Sequence, residues 1–328
     1  MVRWARSLST AVLMVLTALA LAVAVGVACT PQQTEAVASR TPLRVCATIF
    51  PLYDFATRIA GERAQVSLLL PPGADVHLWE PGVDTLRSLG RVDLLIYNGA
   101  GLEPWLEKIV AAASNPRLRL VDASEGLALH PMGGGEVHGH AAGEKARSRG
   151  AQEPGAYDPH VWLDPVRAKR QAANIRDALV AADPEGKNFY SARYDALARR
   201  LDHLDFLFRT VLAGTRHKDF VVSHAAFGYL ASRYGLQQIA LTGPEGEAEP
   251  SPAHLAVVAG LYRGGGRRYL FIDALHGGRA AATVAREVGA EVLALHHLAA
   301  LTPTQATAGE DYFSLMEENL VNLDRGLE

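Results

Sequence analysis

Residues 187–212 read KNFYSARYDALARRLDHLDFLFRTVL, and the apolar positions Tyr190, Tyr194, Leu197, Leu201, Leu204, Phe208 and Val211 recur at steps of four and three. That period is the stripe of one amphipathic helix. At 1.5 Å per residue it is roughly 39 Å long, with Asp183-Pro184 as its start signal and Gly214 as its stop. An ordinary surface helix of a single lobe is shorter, so the stretch reads as a rigid bridge between two lobes. Before it, the β-rich runs Arg44–Ile49, Val66–Leu70, Asp93–Tyr97 and Leu118–Asp122 alternate with helical patterns such as Trp105–Ala113. After it, Phe220–Ser223, Gln238–Leu241, Tyr269–Asp273 and Glu291–Leu295 repeat the alternation. The predicted fold class is α/β, two parallel-sheet βα lobes joined by one long rigid helix, with a ligand site in the interlobe cleft.

The 328 residues are 49% hydrophobic and 20% charged, a balance that excludes disordered, collagen-like and multi-span membrane classes. Lys+Arg 32 against Asp+Glu 35 leaves a net charge of −3 with no long basic run, which argues against a nucleic-acid partner. Cys29 and Cys46 are the only cysteines, too few for a disulfide framework or a cysteine-based zinc finger. Cys46, inside an apolar strand pattern, reads as a small core residue. Arg3 and Arg6 precede the uncharged apolar stretch Ala11–Ala28, the pattern of an export signal. Gly26-Val27-Ala28-Cys29 places small residues before a cysteine, as at the lipobox of bacterial lipoproteins, so Cys29 is the candidate lipidation site. Gly26 stands where a lipobox has Leu, which leaves a plain signal peptide or an uncleaved anchor open.

The organisation expected is a signal over 1–28, a polar tether over 29–42, an N-terminal lobe over 43–186, the linker helix over 187–213 and a C-terminal lobe over 214–328. Within the first lobe, 130–157 is rich in glycine and charge without periodicity and reads as a mobile loop carrying His130, His138 and His140.

Histidine is abundant, at 12 residues. Neutral imidazole suits Zn²⁺, and a closed site needs about four donors. In open α/β sheets ligands lie beyond the carboxyl ends of the strands, which favours histidines in the loops just after a β-run or opening a helix. His77, His160, His224 and the pair His296-His297 qualify, two places in each half of the chain.

The sequence around these histidines resembles a known family. PGADVHLWEP (72–81), DPHVWLDP (158–165), SHAAFGYL (223–230), YGL (234–236), GPEGEAEPS (243–251) and DYFSLMEENL (311–320) are similar to segments of the metal-specific solute-binding proteins of zinc and manganese ABC uptake transporters. The likeness extends over 43–324. It implies a cluster A-I type binding protein with metal buried between two lobes, and it maps family ligands onto His77, His160 and His224. The family's fourth ligand is a carboxylate after the last strand, where this chain has Leu295-His296-His297-Leu298. His296 falls on that position; His297, Asp273 or a water are the alternatives, and Asp273 reads first as a strand-end helix cap.

Three or four imidazoles favour Zn²⁺, whereas manganese sites include carboxylates. The loop histidines His130, His138 and His140 stand where zinc-binding members carry a histidine-rich loop, and either collect zinc or are incidental. Glu80, Asp158 and Asp164 are the candidates to orient ligand rings, Asp164 before Pro165 also reading as a helix start. The partner implied is the membrane permease of an ABC transporter, with the protein exported, lipid-anchored or signal-anchored, and monomeric. Imidazoles ligate only when neutral, so affinity is expected to fall as pH drops toward and below about 6.5. The rivals are a manganese-binding member of the family, a surface adhesin and a zinc hydrolase, although no H-E-x-x-H or G-x-S-x-G occurs. Gly264-Gly265-Gly266 precedes a strand instead of following one, which excludes a dinucleotide site.

Overall fold

Strand β1 (Leu43–Ala47) sends Val45 and Ala47 into the main core and Cys46 to the opposite face, among Leu89, Leu95 and Ile109. That is the two-residue period of a strand covered on both sides. Burial pushes the Cys46 thiol up to about 11, so it is an inert packing group. The computed structural model describes residues 41–132, 156–243, 252–263, 266–273, 275 and 278–328. The expected export signal, Cys29, His138 and His140 lie outside these residues.

The first sheet contains β1, β2 (Ala64–Leu68), β3 (Leu94–Tyr97) and β4 (Arg119–Asp122), all parallel, in the order β2-β1-β3-β4. The second contains β5 (Asp219–His224), β6 (Gln237–Thr242), β7 (Tyr269–Ile272) and β8 (Glu291–Ala294) in the corresponding order β6-β5-β7-β8. On β5, Phe220 and Val222 enter the main core while Val221 joins Leu241, Val258 and Leu270 on the other face. In each sheet the chain turns to one side after its first strand and to the other after its second. The carboxyl ends of β1 and β3, and of β5 and β7, therefore flank topological switch points, where open α/β sheets bind ligands. Thr48 and Asn98 follow β1 and β3; His224 ends β5 and Asp273 follows β7.

The linker helix spans Lys187–Ala213, 27 residues, about 40 Å at 1.5 Å per residue. Tyr190, Leu197, Leu201, Leu204, Phe208 and Leu212 are its buried stripe, and burying each large aliphatic side chain contributes about 1.5–3 kcal/mol. Asp183-Pro184 opens a short 3-10 turn, Pro184–Gly186, that leads into the helix. Asp183 accepts the Gly186 N–H at 3.2 Å and the Tyr190 hydroxyl at 2.8 Å, and pairs with Arg63 at 2.7 Å. Gly186 is needed for this close approach, because a Cβ there would lie 2.5 Å from the Tyr190 ring. The linker packs on the helices Phe50–Ala60, Pro165–Ala182 and Tyr312–Leu327. Asp311 caps the last of these, pairs with Arg58 at 2.6 Å, and lies beside Arg200, whose guanidinium covers the Phe313 ring at 3.8 Å. Among the described residues no helix is long and apolar enough to cross a membrane.

Candidate metal centre

His224 is the last residue of β5, fully buried, and aligned with Thr242 of β6. His160 opens the short helical turn Val161–Leu163 and is also fully buried. Its backbone N–H donates to Asp158 Oδ1 at 3.0 Å, and the same oxygen lies 2.9 Å from its Nδ1. A carboxylate on Nδ1 fixes the tautomer and leaves Nε2 to carry the ligating lone pair. Burial pushes the Asp158 carboxyl up to about 7, opposed by the His160 backbone N–H. His77 sits in the turn after β2, half-buried, its backbone N–H bonded to Asp75 Oδ1 at 2.9 Å. Gly73, at φ +83, ties that turn to the second sheet's side of the molecule through Leu301 O at 2.7 Å.

His77, His160 and His224 each offer one ring nitrogen, all within 4.8 Å of one another. Their ring centroids are 5.5 Å apart for His77–His160, 5.5 Å for His77–His224 and 5.1 Å for His160–His224. A zinc–nitrogen bond of about 2.0–2.1 Å sets an imidazole centroid about 3.2 Å from the ion, so tetrahedral ligands have centroids about 5.2 Å apart. The three observed separations lie within about 0.3 Å of that value. Burial, followed by the neighbouring His160, His224 and His297, pushes His77 down to about 2 and keeps it neutral.

The two histidines after β8 face different ways. The His297 ring centroid is 5.8 Å from that of His224, and its Nδ1 is 2.8 Å from Asp273 Oδ2. His296, expected at the fourth position, is instead turned toward the C-terminal helix. Its Nδ1 lies 3.2 Å from Gln305 Nε2 and its Nε2 3.3 Å from Glu318 Oε2. The physical reason is the capping box of helix Pro303–Ala308: Gln305 Oε1 accepts the Thr302 N–H, which presents the amide NH₂ to His296. Asp273 accepts the His297 backbone N–H at 2.9 Å and the Leu275 N–H at 2.8 Å, so it orients the segment that follows β8.

Of the other expected residues, Asp164 caps helix Pro165–Ala182 and pairs with Arg167 and Arg233. Glu80 is exposed. His130 stacks on Tyr229 at 4.2 Å, outside the three-histidine group.

Several supporting residues escape a reading by ligand type. Buried Glu103 accepts the Thr48 hydroxyl at 2.6 Å and the backbone N–H groups of Asn98 at 2.7 Å and Gly99 at 3.1 Å. Burial pushes its carboxyl up to about 7 against those donors. Asn98 Nδ2 donates to Pro159 O at 2.9 Å, next to His160, and its Oδ1 accepts from Gln171 at 2.9 Å. The Trp162 indole donates to His297 O at 2.6 Å, while the Tyr312 hydroxyl donates to Trp162 O at 2.6 Å and that of Tyr229 to Asp158 O at 2.8 Å. The available signal was Asn98-Gly99 at a strand end and an indole two residues from His160.

Two similar parallel-sheet lobes, one bridging helix and imidazoles converging beyond the strand ends define a two-lobed α/β fold with a histidine centre. The sequence places it more closely. The chain belongs to the ZnuA family, described as zinc-uptake complex component A, periplasmic, whose model matches residues 45–326. It is 33% identical over 278 residues to the zinc-binding lipoprotein AdcA of Streptococcus pneumoniae (strain ATCC BAA-255 / R6), covering 85% of this chain and 54% of that protein. It is 32% identical to the high-affinity zinc uptake system protein ZnuA of Bacillus subtilis (strain 168), covering 85% of both. The chain thus spans about half the length of the streptococcal relatives it matches. Among solved structures it is similar to the Zn(II)-bound ZnuA-like domain of S. pneumoniae AdcA, with TM-score 0.71, 30% identity, and coverage of 88% of this chain and 99% of that one.

Proposed function

We propose that this protein captures Zn²⁺ outside the cytoplasm and delivers it to the membrane permease of an ABC transporter, without chemistry on a substrate. The observation that carries this reading is the convergence of one nitrogen each from His77, His160 and His224 within 4.8 Å. Nitrogen donors suit zinc over manganese, which prefers oxygen. The family's description as a zinc-uptake component and the relatives' zinc-binding names point the same way.

Capture follows from the surroundings of the rings. Asp158 orients His160, burial keeps His77 neutral, and the strand end holds His224 still, so little ordering is left to be done when the ion arrives. Zinc bound among residues from both halves stabilises one arrangement of the lobes, 43–186 and 214–328, which the permease reads. Anchoring through Cys29 and action as a monomer complete the reading. Titration calorimetry on metal-stripped protein tests it: tight one-to-one zinc binding with weak manganese binding is expected, lost in His160→Ala. Equal affinities, or tight binding that survives His160→Ala, would refute it.

A further inference from the structure

We infer that His297, oriented by Asp273, is the fourth zinc donor, which makes the site all-imidazole; this rests on the zinc-binding reading of His77, His160 and His224.

Three observations converge on it. The His297 ring stands 5.8 Å from that of His224, against about 5.2 Å between rings on one tetrahedral zinc ion, and it lies beside the His77, His160 and His224 group, which it joins by moving inward. Its Nδ1 and backbone N–H both meet Asp273 Oδ2, at 2.8 and 2.9 Å, the carboxylate–histidine arrangement that directs Nε2 to a metal. Its carbonyl accepts the Trp162 indole N–H at 2.6 Å, and Trp162 follows His160 by two residues. The fourth ring is thereby fastened to the turn that carries another ligand.

Leu298, the next residue, is at φ +64, a left-handed conformation that residues with a Cβ rarely adopt. Such outliers persist where the surrounding structure demands them and cluster at ligand sites. Here the bend accompanies the divergence of the paired histidines, His297 toward the cluster and His296 toward Gln305 and Glu318. Asp273 is a positioning residue in this scheme, acting through the ring it holds.

The test compares the parent chain with His297→Ala, His296→Ala and Asp273→Asn, measuring zinc affinity by competition with a chelator and the visible spectrum of the Co²⁺-loaded proteins. His297→Ala is expected to weaken zinc by at least about tenfold and to change the Co²⁺ bands. Asp273→Asn, which keeps the side chain's shape, is expected to weaken zinc about 10–100-fold. His296→Ala is expected to stay within about threefold with an unchanged Co²⁺ spectrum, as for a group outside the coordination shell. Parent-like affinity in His297→Ala, a loss of affinity with an unaltered Co²⁺ spectrum, or a loss carried by His296→Ala would each overturn the assignment. Should His297→Ala fail to fold, Asp273→Asn with parent-like affinity and spectrum overturns it. A parent chain without tight zinc binding would instead refute the three-histidine reading itself.

Discussion

At His160 one ring nitrogen faces Asp158 and the ring itself is fully buried, so its orientation is set before an ion arrives. Replacement of His160, His77 or His224 by Ala removes a donor that the remaining rings cannot replace, and each change is expected to abolish tight zinc binding in a calorimetric titration. His130→Ala is expected to leave the affinity unchanged, since that ring stacks on Tyr229 away from the cluster. Glu103 supports a prediction of another kind. Its folded pKa is about 7 against an ordinary 4.5, so the folded state keeps a proton that the unfolded state has released. Its contribution is present below about pH 4.5 and is lost as pH rises through about 7. In urea unfolding of the metal-free protein, the stability gap between the parent chain and Glu103→Gln should therefore shift by roughly 2–3 kcal/mol against the parent from about pH 5 to pH 8. A gap independent of pH would show that Glu103 is ionised throughout. The convergence of His77, His160 and His224 was legible because each follows a strand or opens a turn within a recognisable motif. The divergence of His296 and His297 was not, because it depends on a capping box nine residues away and on a bend at Leu298.

The linker helix was legible almost to its ends, because a stripe of seven apolar residues at helical spacing has no other low-energy arrangement. The Asp183 side chain, bound to Arg63 and Tyr190, and the close approach that Gly186 permits set its start, which local sequence signals only partly reveal. Leu201 lies at the middle of its buried face and belongs to the core that includes Phe55 of the first half and Phe220 of the second. Leu201→Ala is expected to cost about 2–5 kcal/mol in chemical denaturation. Because the core is shared, the loss should appear as a shift of one transition; two separated transitions would show that the halves unfold independently. The strands were equally readable, the central ones as apolar runs and the edge strand β2 as alternating exposure. The polar ties from Asn98, Trp162 and Tyr229 to the His160 turn were not readable, since each joins residues more than 60 positions apart.

For the molecule as a whole, the two sheets repeat one strand order; the switch point of the second lies where His224 ends β5 and Asp273 follows β7, and that of the first carries Thr48 and Asn98. The His160 turn is bound to both halves, through Asn98 on one side and Trp162 and Tyr229 on the other. Zinc that joins His77 and His160 to His224 adds a further link between them, so binding should stabilise the entire fold. Zinc at about 100 times its dissociation constant is expected to add about 2.7 kcal/mol to unfolding, and a chelator to remove it. An unfolding midpoint insensitive to zinc would contradict capture at a site shared by both halves. Whether imidazoles hold the ion is decided by zinc K-edge X-ray absorption on the protein loaded with one equivalent. A nitrogen shell at about 2.0–2.1 Å with outer scattering from at least three imidazole rings is expected; an oxygen shell without imidazole scattering would contradict histidine ligation.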